Sequence, residues 1–322
     1  MSRAERAWRL ATSLPARIAV TLALIGLLAA TIDWGAVGDA IADASWGWFV
    51  IAVTLVLISF GVASARWRML LVVADVPTSL LRATRAYFAG AFANNLLPTA
   101  FGGDALRAWL VARESRPFAR SLTSVVVDRA TALGCGLALA WVGVAVDPGS
   151  LDASQLAPLA VVSALAVVAL GALLAALRVR GLGRFVPERA RPWLAEVAET
   201  LRVYVADRPL VAVVLALGLG FQLLIVAATW ALSETLGLGL DPSLIAVVVP
   251  LVLIATALPI SVGGFGVREG SFVALLADAG VSAADATLLS LLSAAVMVLA
   301  SLPGGLALVI GYDPPRPIAQ HD

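Results

Sequence analysis

The chain has 322 residues, 61% hydrophobic and only 13% charged, with a formal net charge of +1 and a mean hydropathy of +0.97. Soluble domains are roughly half apolar and a quarter charged, so this composition excludes one and gives a polytopic membrane protein instead. The near-neutral charge gives no reason to expect a nucleic acid, and one cysteine (Cys135) with one histidine (His321, beside the C-terminus) leaves neither a disulfide nor a Cys/His metal cluster.

Six apolar runs are long enough, or nearly so, to span a bilayer: about 14–32, 46–65, 121–146, 156–177, 209–233 and 285–311. The first follows Arg3, Arg6, Arg9 and Arg17, which resembles a signal peptide, but no cleavage site leading into a soluble domain follows; the expectation is a retained helix. All 22 basic residues are arginines, and arginine placement sets orientation. The N-terminus is then cytoplasmic. The loop with Asp33, Asp39 and Asp43 lies outside, and the second span returns to Arg66, Arg68, Arg82 and Arg85.

Two shorter apolar runs, about 83–97 and 243–260, end in related sentences: LPTAFGGDALR from Leu97 and LPISVGGFGVR from Leu258. Both read L-P-x-x-x-G-G-x-x-x-R, half a chain length apart. A full span over 83–97 would strand Arg113, Arg116 and Arg120 outside; a re-entrant hairpin would not, and about 15 residues reach only roughly 22 Å. The hairpin reading also places Asp147, Asp152, Glu234, Asp241, Asp278 and Asp285 outside. The long arginine-rich loop is then cytoplasmic, with an amphipathic surface helix over 188–205, and so is the C-terminus. Full spans at both places give the same ends.

The predicted fold is therefore an all-α polytopic integral membrane protein with six full spans plus two re-entrant helical hairpins. It forms a single transmembrane domain over 1–322. Its halves, about 14–147 and 156–311, are joined by a cytoplasmic amphipathic segment, about 178–208. Three spans and a hairpin per half make the repeat inverted.

Pro98 and Pro259 would break the entering helices, while Gly102-Gly103 and Gly263-Gly264 would permit tight turns. The returning half-helices would then point free N–H groups into a cavity, with Arg107 and Arg268 about one turn along. Two such ends and two arginines suit a phosphate, with Asp104 and Glu269 orienting the arginines or carrying protons. Each residue has a plainer reading. Arg107 would snorkel to the interface, and Arg268 would pair with Glu269 or Asp104. Asn94 and Asn95 either satisfy backbone freed at the break or bind headgroup hydroxyls. Asp128-Arg129 is either a structural pair near the interface or part of the cavity mouth. Trp8, Trp34, Trp46, Trp48, Trp67 and Trp109 fall near span ends, as interfacial anchors do.

Three stretches, NNLLPTAFGGDALRAWLVARE, SVVVDRATAL and ALPISVGGFGVREGSFVALL, resemble the membrane domain of lysylphosphatidylglycerol synthases and its stand-alone, flippase-like relatives. The resemblance covers about 14–311. Its most specific block holds Pro259, Gly263, Gly264, Gly266, Arg268 and Glu269; Asp128-Arg129 stands where that family usually has Glu-Arg. The resemblance implies movement of anionic or aminoacylated phospholipids, or lipid-linked sugars, between leaflets of the cell membrane. Full synthases also carry a soluble aminoacyl-transferase domain. This chain ends soon after its last span, so aminoacyl transfer is not carried over and the expectation leans away from an enzyme.

Four functions compete: a lipid flippase, a membrane enzyme on a lipid-linked substrate using Asp104, Asp128 or Glu269, an ion-coupled small-anion transporter, and a non-transporting partner of another enzyme. No catalytic set, metal site or cofactor is expected. GGFGVR lacks the lysine and strand context of a phosphate-binding loop. The expected partners are membrane lipids and a lipid-modifying or glycosyl-transferring enzyme; oligomeric state is not readable from the sequence.

Overall fold

The computed structural model describes residues 44–96, 102–112, 118–148, 153–178, 191–257 and 264–310, with Gly35, Ala42 and Glu188. The expected span 14–32, the breaks at Pro98 and Pro259, Gly263, and Arg113 and Arg116 lie outside the described residues. Among the described residues every regular element is helical. The helices are α1 (Trp46–Val73), α2 (Leu80–Leu96), α3 (Gly102–Ala112), α4 (Phe118–Val146), α5 (Ala153–Arg178), α6 (Arg191–Ala206), α7 (Arg208–Thr235), α8 (Pro242–Ala257), α9 (Val267–Leu276) and α10 (Ala283–Ile310).

Five of these, α1, α4, α5, α7 and α10, are long and apolar enough to cross a membrane, and they match five of the six predicted runs. The chain is a multi-pass all-α membrane protein. The two runs that end in the repeated sentence form shorter helices, α2 of 17 residues and α8 of 16, each followed by a helix shorter still.

Local chemistry fixes the ends. Asp207 caps α7: its carboxylate accepts from the Leu210 N–H (2.9 Å), and Pro209 sits in the first turn, where a missing N–H costs nothing. The turn into α9 uses Gly264 at φ +78° and Gly266 at φ +80°, a left-handed region that disfavours other residues. α3 runs back along α2. Its Gly103 N–H donates to Asn94 Oδ1 (2.8 Å), and one turn on, Arg107 lies against Gly90. A Cβ on Gly103 would overlap the Gly90 carbonyl, and one on Gly304 of α10 would overlap the Phe88 backbone. Glycine at these positions lets α2 press against α3 on one side and α10 on the other.

The helices pack in matched pairs. α1 lies against α7; α4 against α8, as α10 against α2; and α4 against α7, as α10 against α1. One apolar core gathers Val56, Phe60, Leu232, Val247 and Leu289. A second gathers Trp67, Leu70, Leu71, Ala86, Leu110 and Tyr204. α6 falls within the stretch expected to form an amphipathic surface helix. It buries Thr200 and Tyr204, one turn apart, and exposes Trp193 and Val203. The Tyr204 hydroxyl donates to the Leu70 carbonyl (2.8 Å), and burial pushes this phenol's pKa up. Arg120 joins α6 to the α1–α2 turn through Glu196 (3.1 Å) and Asp75 (2.9 Å). α5 stands apart, with most of its apolar side chains exposed and only light packing on α4, α6 and α8.

Candidate functional site

The charged residues singled out from the sequence fall into two groups. The first joins α1, α3 and α4. Asp128 accepts from Arg66 Nε (2.8 Å) through one carboxylate oxygen and from Arg107 Nη2 (3.0 Å) through the other. Arg66 Nη2 also donates to the Asp128 carbonyl (3.3 Å). Asp104 receives Arg129 Nε at 2.7 Å and lies 3.1 Å from Arg107 Nε. The order is Arg66, Asp128, Arg107, Asp104, Arg129. Three guanidinium groups face two carboxylates, so the group carries one positive charge in excess.

Helix geometry explains the wiring. Asp104 and Arg107 lie three residues apart, on one face of α3. Asp128 and Arg129 are consecutive and diverge by about 100° around α4. They do not form the local pair that adjacency suggested: Asp128 turns inward at 2% exposure, while the Arg129 side chain is 46% exposed. Arg107 does not snorkel. It is 3% exposed, with its guanidinium over the rings of Trp67 (4.8 Å) and Tyr87 (4.7 Å). Trp67 is no interfacial anchor either. It is fully buried, and its indole N–H donates to Ser124 Oγ (3.0 Å).

The second group sits on α9. Arg268 Nη2 donates to Glu269 Oε1 (2.7 Å), and Arg268 Nε meets both that oxygen and Ser290 Oγ (each 3.2 Å). The other Glu269 oxygen accepts the Gly266 N–H (2.6 Å), so this carboxylate caps its own helix. Here an expectation is corrected. The starts of α3 and α9 do not offer all their N–H groups to a ligand, because Asn94 takes that of Gly103 and Glu269 takes that of Gly266. Side-chain acceptors within the chain reach these donors first.

Arg268 lies on the wall of a cavity of about 210 Å³ enclosed by α1, α2, α7, α8, α9 and α10. Apolar side chains such as Val56, Ile225, Val252 and Met297 make most of the wall. Asn95, Thr229, Thr256 and Ser293 supply the other polar groups. Asn95 closes α2, so a residue beside each repeated sentence reaches the same space. Arg107 is not on this wall, nor are Asp104, Asp128 and Arg129. Gly102 and Gly103 open α3, and Gly264 lies against Thr256. Among the described residues no group of histidine, cysteine, aspartate or glutamate side chains could hold a metal.

Arg66, Tyr87 and Trp67 are the members of the first group that the sequence reading missed. Arg66 and Arg68 are two residues apart and so point about 160° apart on a helix; the two could not share one face.

The family model of the lysylphosphatidylglycerol synthase TM region matches residues 15–304. The chain belongs to this family. Membership places the chain in a family of membrane domains linked to lipid handling. No curated protein matches the chain at a significant level.

Proposed function

We propose that this protein is a lipid flippase-like transporter. It takes the anionic phosphate of a phospholipid or lipid-linked headgroup into the cavity between its halves and passes it between leaflets while the acyl chains stay in the bilayer. The observation that carries this reading is the cavity wall, which is mostly apolar and holds one arginine, Arg268, beside a few neutral polar groups. Such a lining suits an amphipathic molecule better than a small hydrated anion.

Under this proposal α2–α3 and α8–α9 are re-entrant hairpins, broken at Pro98 and Pro259 with Gly263 in the second turn. Lengths support it: helices of 17 and 16 residues reach only about 24–26 Å against a hydrocarbon core of about 30 Å. With 14–32 as a sixth span, each half holds three spans and one hairpin. The matched packing of α4 on α8 and α10 on α2 is what an inverted repeat would give. The termini would be cytoplasmic and the membrane the cell membrane. Arg107, Asp104, Asp128 and Arg129 would hold the first hairpin, their excess charge drawing headgroup phosphate toward it. A lipid-modifying or glycosyl-transferring enzyme would supply or consume the lipid.

Native mass spectrometry of the purified protein tests this. Wild type retains a defined phospholipid or lipid-linked sugar, and Arg268→Ala loses it. Equal retention by both proteins refutes the site.

A further inference from the structure

The cavity's polar groups are unevenly equipped. The Thr229 hydroxyl donates to the Ile225 carbonyl (3.0 Å), that of Thr256 to Leu253 (2.9 Å) and that of Ser293 to Leu289 (2.8 Å). A hydroxyl has one hydrogen, so each of these three has spent its donor on its own helix and keeps only lone pairs. Asn95 gives one amide hydrogen to Ser301 Oγ (3.0 Å), which leaves its second amide hydrogen as a donor and its carbonyl oxygen as an acceptor. Arg268 has turned one edge to Glu269 and Ser290 and keeps its remaining N–H groups. The described wall thus offers two donor groups, the Arg268 guanidinium and one Asn95 N–H, against a surplus of neutral acceptors.

A phosphate alone would satisfy only the arginine and the one remaining Asn95 N–H, and none of the hydroxyl oxygens. The hydroxyl oxygens would lose water without gaining a partner, which costs free energy at each one. Resting on the lipid reading above, we infer that the cavity selects phosphodiester lipids whose headgroups bring their own hydrogen-bond donors, a primary ammonium or hydroxyls. Their phosphate goes to Arg268, and their N–H or O–H groups go to Thr229, Thr256 and Ser293. A trimethylammonium headgroup has similar charge but no donor, and it is selected against.

The probe is an equimolar mixture of phosphatidylethanolamine and its mono-, di- and trimethylated forms, all with the same acyl chains. It is added to the purified full-length protein and read by native mass spectrometry, where the four differ by single methylenes. Retention falls stepwise with each N–H removed, to at least about fivefold below phosphatidylethanolamine for the choline lipid. Phosphatidylglycerol, added separately, is retained as well. The variant Thr229→Val, Thr256→Val, Ser293→Ala keeps the helices and Arg268 and levels the series. Equal retention of all four lipids by wild type, with loss in Arg268→Ala, overturns the donor rule and leaves the lipid site standing. A graded series that the triple variant leaves intact overturns its assignment to these hydroxyls. Lipid retention indifferent to Arg268→Ala overturns both readings.

Discussion

Asp128→Asn tests the buried charge group most directly. The substitution keeps the shape of the side chain and removes one negative charge. The Asp128 carboxylate holds Arg66 through Nε and Nη2, each 2.8 Å from one oxygen, and Arg107 through Nη2 at 3.0 Å from the other. The three side chains are 1–3% exposed, so water cannot replace what is lost. With Asn the group's excess charge doubles, and two guanidinium groups face each other across a neutral amide. Removing one partner of a buried pair costs about 3–5 kcal/mol. The Arg120–Glu196 pair, 26% and 21% exposed, is the internal control, because Glu196→Gln should cost about 1 kcal/mol. The assay is unfolding by titrated SDS in mixed micelles, followed by tryptophan fluorescence. Adding Arg66→Met to Asp128→Asn restores the original excess charge and should recover part of the loss, a coupling that a double-mutant cycle isolates. Equal, small losses for Asp128→Asn and Glu196→Gln, or no recovery in the double variant, would refute the argument that Asp128 binds two buried cations.

Gly103→Ala sets a Cβ into the Gly90 carbonyl, so it should separate α2 from α3 and cost several kcal/mol; Gly61→Ala, with open space around it in α1, should be neutral or stabilising by about 0.5–1 kcal/mol, and thermal melts in detergent compare the two. Tyr204→Phe removes the hydrogen bond to Leu70 and should cost about 1 kcal/mol in the same melts. The Tyr204 pKa is raised in the folded protein, so its contribution is complete below the unfolded phenol's value of about 10 and is lost as pH rises through the folded value. Alkaline unfolding of Tyr204→Phe should accordingly be less steep than that of wild type. Asp241 is held below the usual carboxylate range by the hydroxyl and N–H of Ser243, so its small contribution is present above about pH 4 and lost as pH falls; Asp241→Asn should remove that acid-side dependence.

Much of the architecture was legible because a span is written in a single local run of apolar residues. α1, α4, α5, α7 and α10 all begin and end near such runs, and the short α2 and α8 stand where the repeated sentences close theirs. The site was legible residue by residue and not in its wiring. Arg107 and Asp104 declared themselves by lying in an apolar setting, but their link to Arg66 runs through Asp128, 62 positions away from Arg66 in the chain. Charge placement reads an arginine at a span end as a marker of the interface, and Arg66 directly follows the apolar run 46–65, but α1 continues seven residues beyond it. The same rule misread Trp67. Asn94 was the opposite case, since an amide before a helix break has an obvious local use, and the structure shows it accepting from Gly103.

The two charged groups differ in how widely they are anchored. Arg107 and Asp104 bind α3 electrostatically to Asp128 and Arg129 of α4, and Asp128 in turn holds Arg66 of α1, so α3 cannot shift alone without parting buried opposite charges. Arg268 pairs with its own neighbour, and among the described residues its only hydrogen bond to another helix is to Ser290. Of the two short helices, α9 is therefore the one that can slide at small electrostatic cost. Under the proposed function α3 would act as the fixed jaw of a clamp and α9 as the movable one, with Arg268 riding on it.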